Sequence, residues 1–413
     1  SAAPATAAAR AGYSAAAALR PPLVRRLGRP RVRATPSPLA LLHTGVTLTL
    51  AGTGDDGQPP PEVVPPSVMD SAVSFLYEGT KSTAIIVGGL ASVAIILLYT
   101  YQDNLLYFPD AGGQIPKSTR DNPRGFQNPG QRGLPYEDYY VDVPGENVRL
   151  HSWLLLQPEP SDKVTLIYFH GNAGNIGFRL DNVQAMYEVL GINIMIMDYR
   201  GYGDSTGSPS EAGIKRDAEA CLDTLRADDR IDPGKIGVFG RSLGGSVALY
   251  LAAARPTQVH VAVVENTYTS IADMVDVVMP FVAPLKSLVL RIGWDSGAII
   301  GDLKQPLLFM SGKLDELVPP AHMRALFNGA ASSVLRKLHV VERGRHNDTA
   351  TVGGAEYYRV FREFLRNAAR ARGQSFDADA DADAAAAAAA AEVSSQSGAN
   401  GEGAQAQAIP IMP

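Results

Sequence analysis

Three features of the sequence predict an α/β fold with a mostly parallel central sheet, helices on both faces, and one transmembrane helix in front. Between residues 136 and 372, short apolar runs alternate with longer helix-like runs, the pattern of β-α repeats. Two leading strands joined by the short turn Val143-Pro144-Gly145-Glu146 come before those repeats. From Ser82 to Gln102 there is no charged residue, and at about 1.5 Å per residue a helix of that length spans the hydrocarbon layer of a bilayer.

The 413 residues are 46% hydrophobic, as in a globular protein, and a net charge of −5 gives no reason to expect a nucleic-acid partner. Cys221 is the lone cysteine, which excludes an intramolecular disulfide and leaves a Cys-based metal site unsupported. Residues 1–54 contain no Asp, Glu or Lys but seven Arg among Ala, Pro, Ser and Thr, the composition of a transit peptide or of a disordered arm. Residues 55–81 begin acidic and Pro-rich and are expected to form a linker.

The span 82–102 carries Tyr99 and Tyr101 at its end, as an interfacial aromatic belt requires; the alternative is a buried core helix. Its orientation is undetermined, with Lys81 on one side and Lys117 and Arg120 on the other. A juxtamembrane connector follows over 103–135, then the α/β domain over 136–372. Residues 373–413, an Asp/Ala run leading to a Ser/Gly/Gln tail, offer no face to bury and are expected to be disordered.

Within the domain, strands are expected at Tyr139–Val143, Val148–Leu156, Val164–His170, Ile192–Asp198, Ile236–Phe239, Val259–Glu265, Leu307–Ser311 and Leu335–Val341. Helices are expected at Phe178–Leu190, Glu211–Arg226, Leu243–Ala254, Ala321–Asn328 and Glu356–Ala371. Ligands of such sheets collect at the carboxyl ends of the strands, so chemistry is sought there.

Gly240-Arg241-Ser242-Leu243-Gly244 lies between a strand and a helix and reads as a nucleophile elbow. The sharp turn strains Ser242 and leaves no room for side chains at Gly240 and Gly244. A serine hydroxyl needs a base, and the base an orienting acid. Among the seven histidines, His346 alone falls in a loop directly after a late strand. Asp315 follows the strand ending at Ser311 and is the expected acid, with Glu265 at another strand end as runner-up. Ser242, Asp315 and His346 then follow the chain order of α/β-hydrolases.

The oxyanion that forms on attack needs two backbone N–H donors. One is expected from Leu243, at a helix N-terminus, and the other from Asn172 in His170-Gly171-Asn172-Ala173-Gly174-Asn175, with Ala173 as the alternative. Asp198-Tyr199-Arg200-Gly201-Tyr202-Gly203 reads as architectural, packed beside the elbow. Asn347-Asp348-Thr349 matches a glycosylation sequon but reads as part of the loop carrying the base. No metal-ligand spacing appears and no cofactor is expected. Residues from about 267 to 306 form a short cap insertion rich in Met, Val and Leu, which suggests an open apolar acyl site.

With these residues in place, the chain resembles the membrane-anchored serine hydrolases of the α/β-hydrolase domain-containing protein 13 type, which include the bud-emergence and wavy-growth proteins. The resemblance runs from about Thr83 to Arg366. It rests on Asn104 to Pro109, His170 to Asn175, Asp198 to Gly203, Gly240 to Gly244, Glu265 to Ser270, Ser311-Gly312 with Asp315 and Val318-Pro319-Pro320, and Gly344 to Thr349. It implies Ser242 as nucleophile, Asp315 as acid and His346 as base. Arg345 departs from the pattern, standing where a small residue is expected.

The expected activity is cleavage of an ester or thioester through an acyl-enzyme, with an acyl substrate such as a lipidated protein and with membrane lipids as partners. The competing reading is a non-catalytic membrane scaffold that keeps the fold. Resemblance places the chain in an endomembrane or the plasma membrane, whereas the composition of residues 1–54 points to a plastid or mitochondrial membrane.

Overall fold

The structure, a computed structural model, describes residues 67–373. The Arg-rich arm, residues 55–66 of the Pro-rich linker and the Ala-rich tail after residue 373 lie outside the described residues. The chain divides into two compact units, residues 1–74 and 75–413; of the first, only the start of a helix is described.

That helix, α1, covers Val68–Thr100. Residues 68–81 are therefore helical, not part of an extended linker, and the helix stops two residues before Gln102. The reason lies just after Pro65-Pro66. Ser67 Oγ accepts from the Asp70 amide at 3.1 Å while Asp70 Oδ2 accepts from the Ser67 amide at 3.3 Å, a reciprocal cap that starts the helix well before its apolar run. None of its residues is buried. A short helix, α2 (Gln102–Leu106), follows.

The sheet has eight strands: β1 (Glu137–Asp142), β2 (Arg149–Leu155), β3 (Thr165–Phe169), β4 (Asn193–Met197), β5 (Ile236–Arg241), β6 (Ala262–Glu265), β7 (Leu307–Gly312) and β8 (Arg336–Val341). Their order is β1-β2-β4-β3-β5-β6-β7-β8; the pairs β1–β2 and β2–β4 are antiparallel and all others parallel. The helices are α3 (Leu180–Leu190), α4 (Glu211–Ala227), α5 (Leu243–Ala254), α9 (Pro320–Gly329) and α10 (Thr349–Ala371), with the small cap helices α6 (Ile271–Val278), α7 (Lys286–Val289) and α8 (Ser296–Ile299) between β6 and β7.

Alternation along the strands builds two cores. In β3, Ile167 and Phe169 join the layer under α4, α5 and α9, while Leu166 and Tyr168 join the layer under α3 and α10. Both faces of the central strands are thus buried, which is why those strands read as unbroken apolar runs. The last helix begins seven residues earlier than its periodicity predicts, at Thr349, and bends at Gly354, where φ is 51° and ψ is −138°. The glycines at 353 and 354 hide its first turns from a propensity reading.

Candidate active site

The elbow closes because three backbones come within contact distance. A Cβ on Gly240 would lie 2.0 Å from the Gly244 carbonyl oxygen, and one on Gly244 would lie 2.0 Å from the Phe169 carbonyl oxygen. Strand β5 can therefore turn straight into α5 beside the end of β3. Ser242, at the bend, is held at φ 55° and ψ −123°, a conformation that costs a non-glycine residue about 1–3 kcal/mol. Its amide donates to the Glu265 carbonyl at 2.9 Å and its carbonyl accepts from the Thr267 hydroxyl at 2.8 Å, so the end of β6 and the loop after it hold the strained residue on both sides.

Ser242, Asp315 and His346 come together. His346 Nε2 lies 3.1 Å from Ser242 Oγ, and His346 Nδ1 lies 2.8 Å and 3.0 Å from the two oxygens of Asp315. An ionised carboxylate only accepts, so it fixes the imidazole proton on Nδ1 and leaves Nε2 free to take the serine proton. Asp315 Oδ1 also accepts from the amides of Leu317 and Val318, at 2.9 Å and 2.7 Å, which sets the plane of the carboxylate. All three side chains are largely buried.

Glu265, the alternative acid, does not reach the imidazole. It accepts from the Tyr357 hydroxyl at 2.6 Å and faces Arg241 Nε at 3.3 Å; burial, ahead of any other influence, holds its carboxyl above the usual range. Arg241 in turn donates to the His346 carbonyl and to Asn347 Oδ1, both at 2.7 Å. Glu265 thus acts on the loop that carries the base, through Arg241. Asn347 belongs to that loop, and the Arg345 side chain projects into solvent.

Sequence reasoning assigned no role to Asn266. Its side chain donates to the carbonyls of Arg345 and His346 and to Thr349 Oγ1, and accepts from the Gly312 amide at 2.8 Å. One buried amide therefore ties the end of β7 to the His346 loop. Its φ of 47° lies in a region that Asn tolerates better than most residues, but an isolated Asn in the sequence does not announce that backbone.

Leu243 opens α5, so its N–H has no carbonyl one turn earlier to bind. The Asn172 loop is fixed by groups far away in sequence. The Asn172 carbonyl accepts from the Phe108 amide at 2.9 Å and the Tyr202 hydroxyl at 2.8 Å, and its side chain donates to the Leu106 carbonyl at 3.1 Å. Arg179 donates to the Ala173 carbonyl. Asn175, fully buried, bonds to Asn122 and to the Pro116 carbonyl. The connector after α2 thus frames this loop, a role that its composition does not announce. The segment from Asp198 to Gly203 serves the same loop: the Tyr199 hydroxyl donates to the His170 carbonyl at 2.8 Å, as Tyr202 does to Asn172.

His170 stands at the root of this loop with its ring tilted over Tyr199, centroids 4.3 Å apart. Burial, reinforced by the Arg179 charge, pushes its pKa down to about 3. The folded state therefore excludes a proton that the unfolded chain binds below about pH 6.5, and stability should fall with pH between those values, by up to about 1.4 kcal/mol per unit. In detergent micelles, wild type should lose about 2 kcal/mol more than His170→Phe between about pH 7.5 and about pH 5. Parallel pH profiles of the two unfolding free energies would contradict this assignment.

Among the described residues no three His, Cys, Asp or Glu side chains are grouped to hold a metal ion. Among the described residues one helix, α1, is long and apolar enough to cross a membrane.

Comparison with known proteins bears on this geometry. Residues 164–291 match the α/β hydrolase fold family. Protein bem46 of Schizosaccharomyces pombe is 39% identical over 298 residues, covering 70% of this chain and 96% of its own. The α/β hydrolase domain-containing protein WAV2 of Arabidopsis thaliana is 37% identical over 294 residues, covering 68% and 93%. A Saccharomyces cerevisiae protein described as an uncharacterized membrane protein is 33% identical over 290 residues, covering 69% and 97%. Among solved structures, an esterase of Pyrococcus furiosus superposes with a TM-score of 0.49 at 19% identity, covering 58% of this chain and 95% of that one.

Proposed function

Because the chain belongs to the family of α/β hydrolase domain-containing proteins that includes bem46 and WAV2, we propose that it is a membrane-tethered serine hydrolase that cleaves an ester or thioester through an acyl-enzyme on Ser242. The observation that supports this most directly is the unbroken line Ser242 Oγ, His346 Nε2, His346 Nδ1, Asp315, with every step at hydrogen-bond distance. His346 takes the proton as Ser242 attacks the acyl carbon, and returns it to the leaving oxygen or sulfur. The amides of Leu243 and Asn172 receive the oxyanion. Water then repeats the sequence, with His346 as base, to release the acid and restore the serine.

The substrate class is an acyl ester or thioester, and lipidated proteins fit it because their acyl chains share the bilayer with α1. A membrane location is supported by the length and apolarity of α1 and by the membrane relative. The test is a fluorophosphonate probe applied to membranes carrying the full chain. Wild type should be labelled and Ser242→Ala should not. Folded wild type that resists the probe would favour the scaffold reading instead.

A further inference from the structure

We infer that the cap segment 274–290 is a second membrane contact, seated in the acyl region of the same leaflet that receives the end of α1, so that the insertion beside Ser242 faces lipid. The inference rests on the reading of α1 as a membrane-spanning helix.

The cap presents an apolar surface that nothing in the chain covers among the described residues. Phe281 is 78% exposed and Leu288 62%, with Val277, Val278 and Leu285 close to half exposed. Contiguous exposed apolar side chains of this kind mark a docking surface. Beneath them Val275, Val282 and Val289 are buried, and Ile95 of α1 packs on the same cluster.

The position of Ile95 identifies the occupant. It lies four residues, about 6 Å of helix rise, before Tyr99, inside the uncharged run. A surface packed against that turn stands at the depth, about 5–10 Å, at which interfacial apolar faces enter a leaflet. The charge pattern agrees: from Met274 to Leu290 the charges are Asp276 and Lys286, paired at 2.5 Å.

The cap is also locked to the anchor. The Gln102 side chain donates to the Val289 carbonyl at 2.5 Å and accepts from the Arg291 amide at 2.9 Å. Arg291 pairs with Asp103 at 2.5 Å and donates to the Tyr99 carbonyl at 3.1 Å. At its other end Ile271 packs on both the cap cluster and the main core of the domain, so the cap is continuous with the hydrolase fold. A helix that crosses the bilayer therefore carries the cap to the leaflet with it.

Cys221 is buried and is the chain's own lone thiol, so a surface cysteine can be labelled selectively. The full chain in lipid nanodiscs would carry an environment-sensitive fluorophore at Phe281→Cys, at Leu288→Cys, or at Val334→Cys, a 67% exposed control outside the cap. Emission at 281 and 288 should shift to the blue and be largely lost when the lipids carry a quencher high on the acyl chain, with no change at 334. If the chain resists carbonate extraction but the cap probes remain aqueous, the inference fails while the anchor stands. Probes that are shielded yet unquenched overturn it in favour of a protein partner or a second copy. Extraction by carbonate overturns the anchor and the inference together.

Discussion

Asp315→Asn is expected to leave the protein folded and to lower turnover by about 10⁴, the loss that the same change produces in a serine protease triad. The reason is specific to the hydrogen bonds around this carboxylate. Oδ1 accepts from the amides of Leu317 and Val318, so an asparagine must place its carbonyl oxygen there. Its NH₂ group then faces His346 Nδ1, now occupied by a donor. Nδ1 must become the acceptor, the ring proton moves to Nε2, and the nitrogen facing Ser242 can no longer take a proton. Steady-state hydrolysis of an activated ester, with unfolding measured in parallel, reads this effect. Near-normal turnover in a folded Asp315→Asn protein would show that the acid lies elsewhere. Glu265→Gln is the matched comparison, because Glu265 reaches the base only through Arg241.

The second large effect concerns stability. Arg200→Met should cost about 3–5 kcal/mol, because it leaves the fully buried Asp217 as an unpaired charge in α4. Arg200 Nε and Nη2 reach Asp217 Oδ1 at 3.0 Å and 2.7 Å, and the Arg200 amide reaches Oδ2 at 3.1 Å. Gly213 makes the space: a Cβ there would lie 2.5 Å from Arg200 Cδ. In a domain of this size the loss corresponds to a fall in Tm on the order of 10 °C. Arg200→Met combined with Asp217→Leu should recover part of it, since the unpaired buried charge is gone while the Arg200 amide has lost its acceptor and Glu146 its Arg200 partner. A double variant no more stable than the single one would show that the arginine stabilises by packing, not by charge. Arg200 stands between Tyr199 and Tyr202, which hold the Asn172 loop, so labelling of Ser242 should weaken together with stability.

These two predictions differ in how far they could be made without coordinates. Ser242, Asp315 and His346 were legible because each lies at or just after the carboxyl end of a strand, and burial on both faces turns the central strands of a parallel sheet into unbroken apolar runs. The elbow glycines were legible because close backbone approach admits no other residue. The buried ion pair was not, since an arginine in a tyrosine-rich turn and an aspartate in a helix carry no mark of their pairing. The start of α1 does carry a local mark, the capping spacing Ser67-Val68-Met69-Asp70, but apolar periodicity misses it because the cap extends the helix beyond its apolar part.

By itself, then, the sequence determined the β-α succession, the uncharged helix before it and the order of the three residues around the elbow. All of these depend on local periodicity and on residues whose chemistry is rare at a strand end. Tertiary structure alone decided that Asp315 and not Glu265 faces the imidazole, that Asn266 ties β7 to the His346 loop, and that the connector after α2 frames the Asn172 loop. Each of those is a contact between segments distant in the chain, set by strand order and by the direction in which a buried polar group must turn to find its partner. No local pattern encodes that direction.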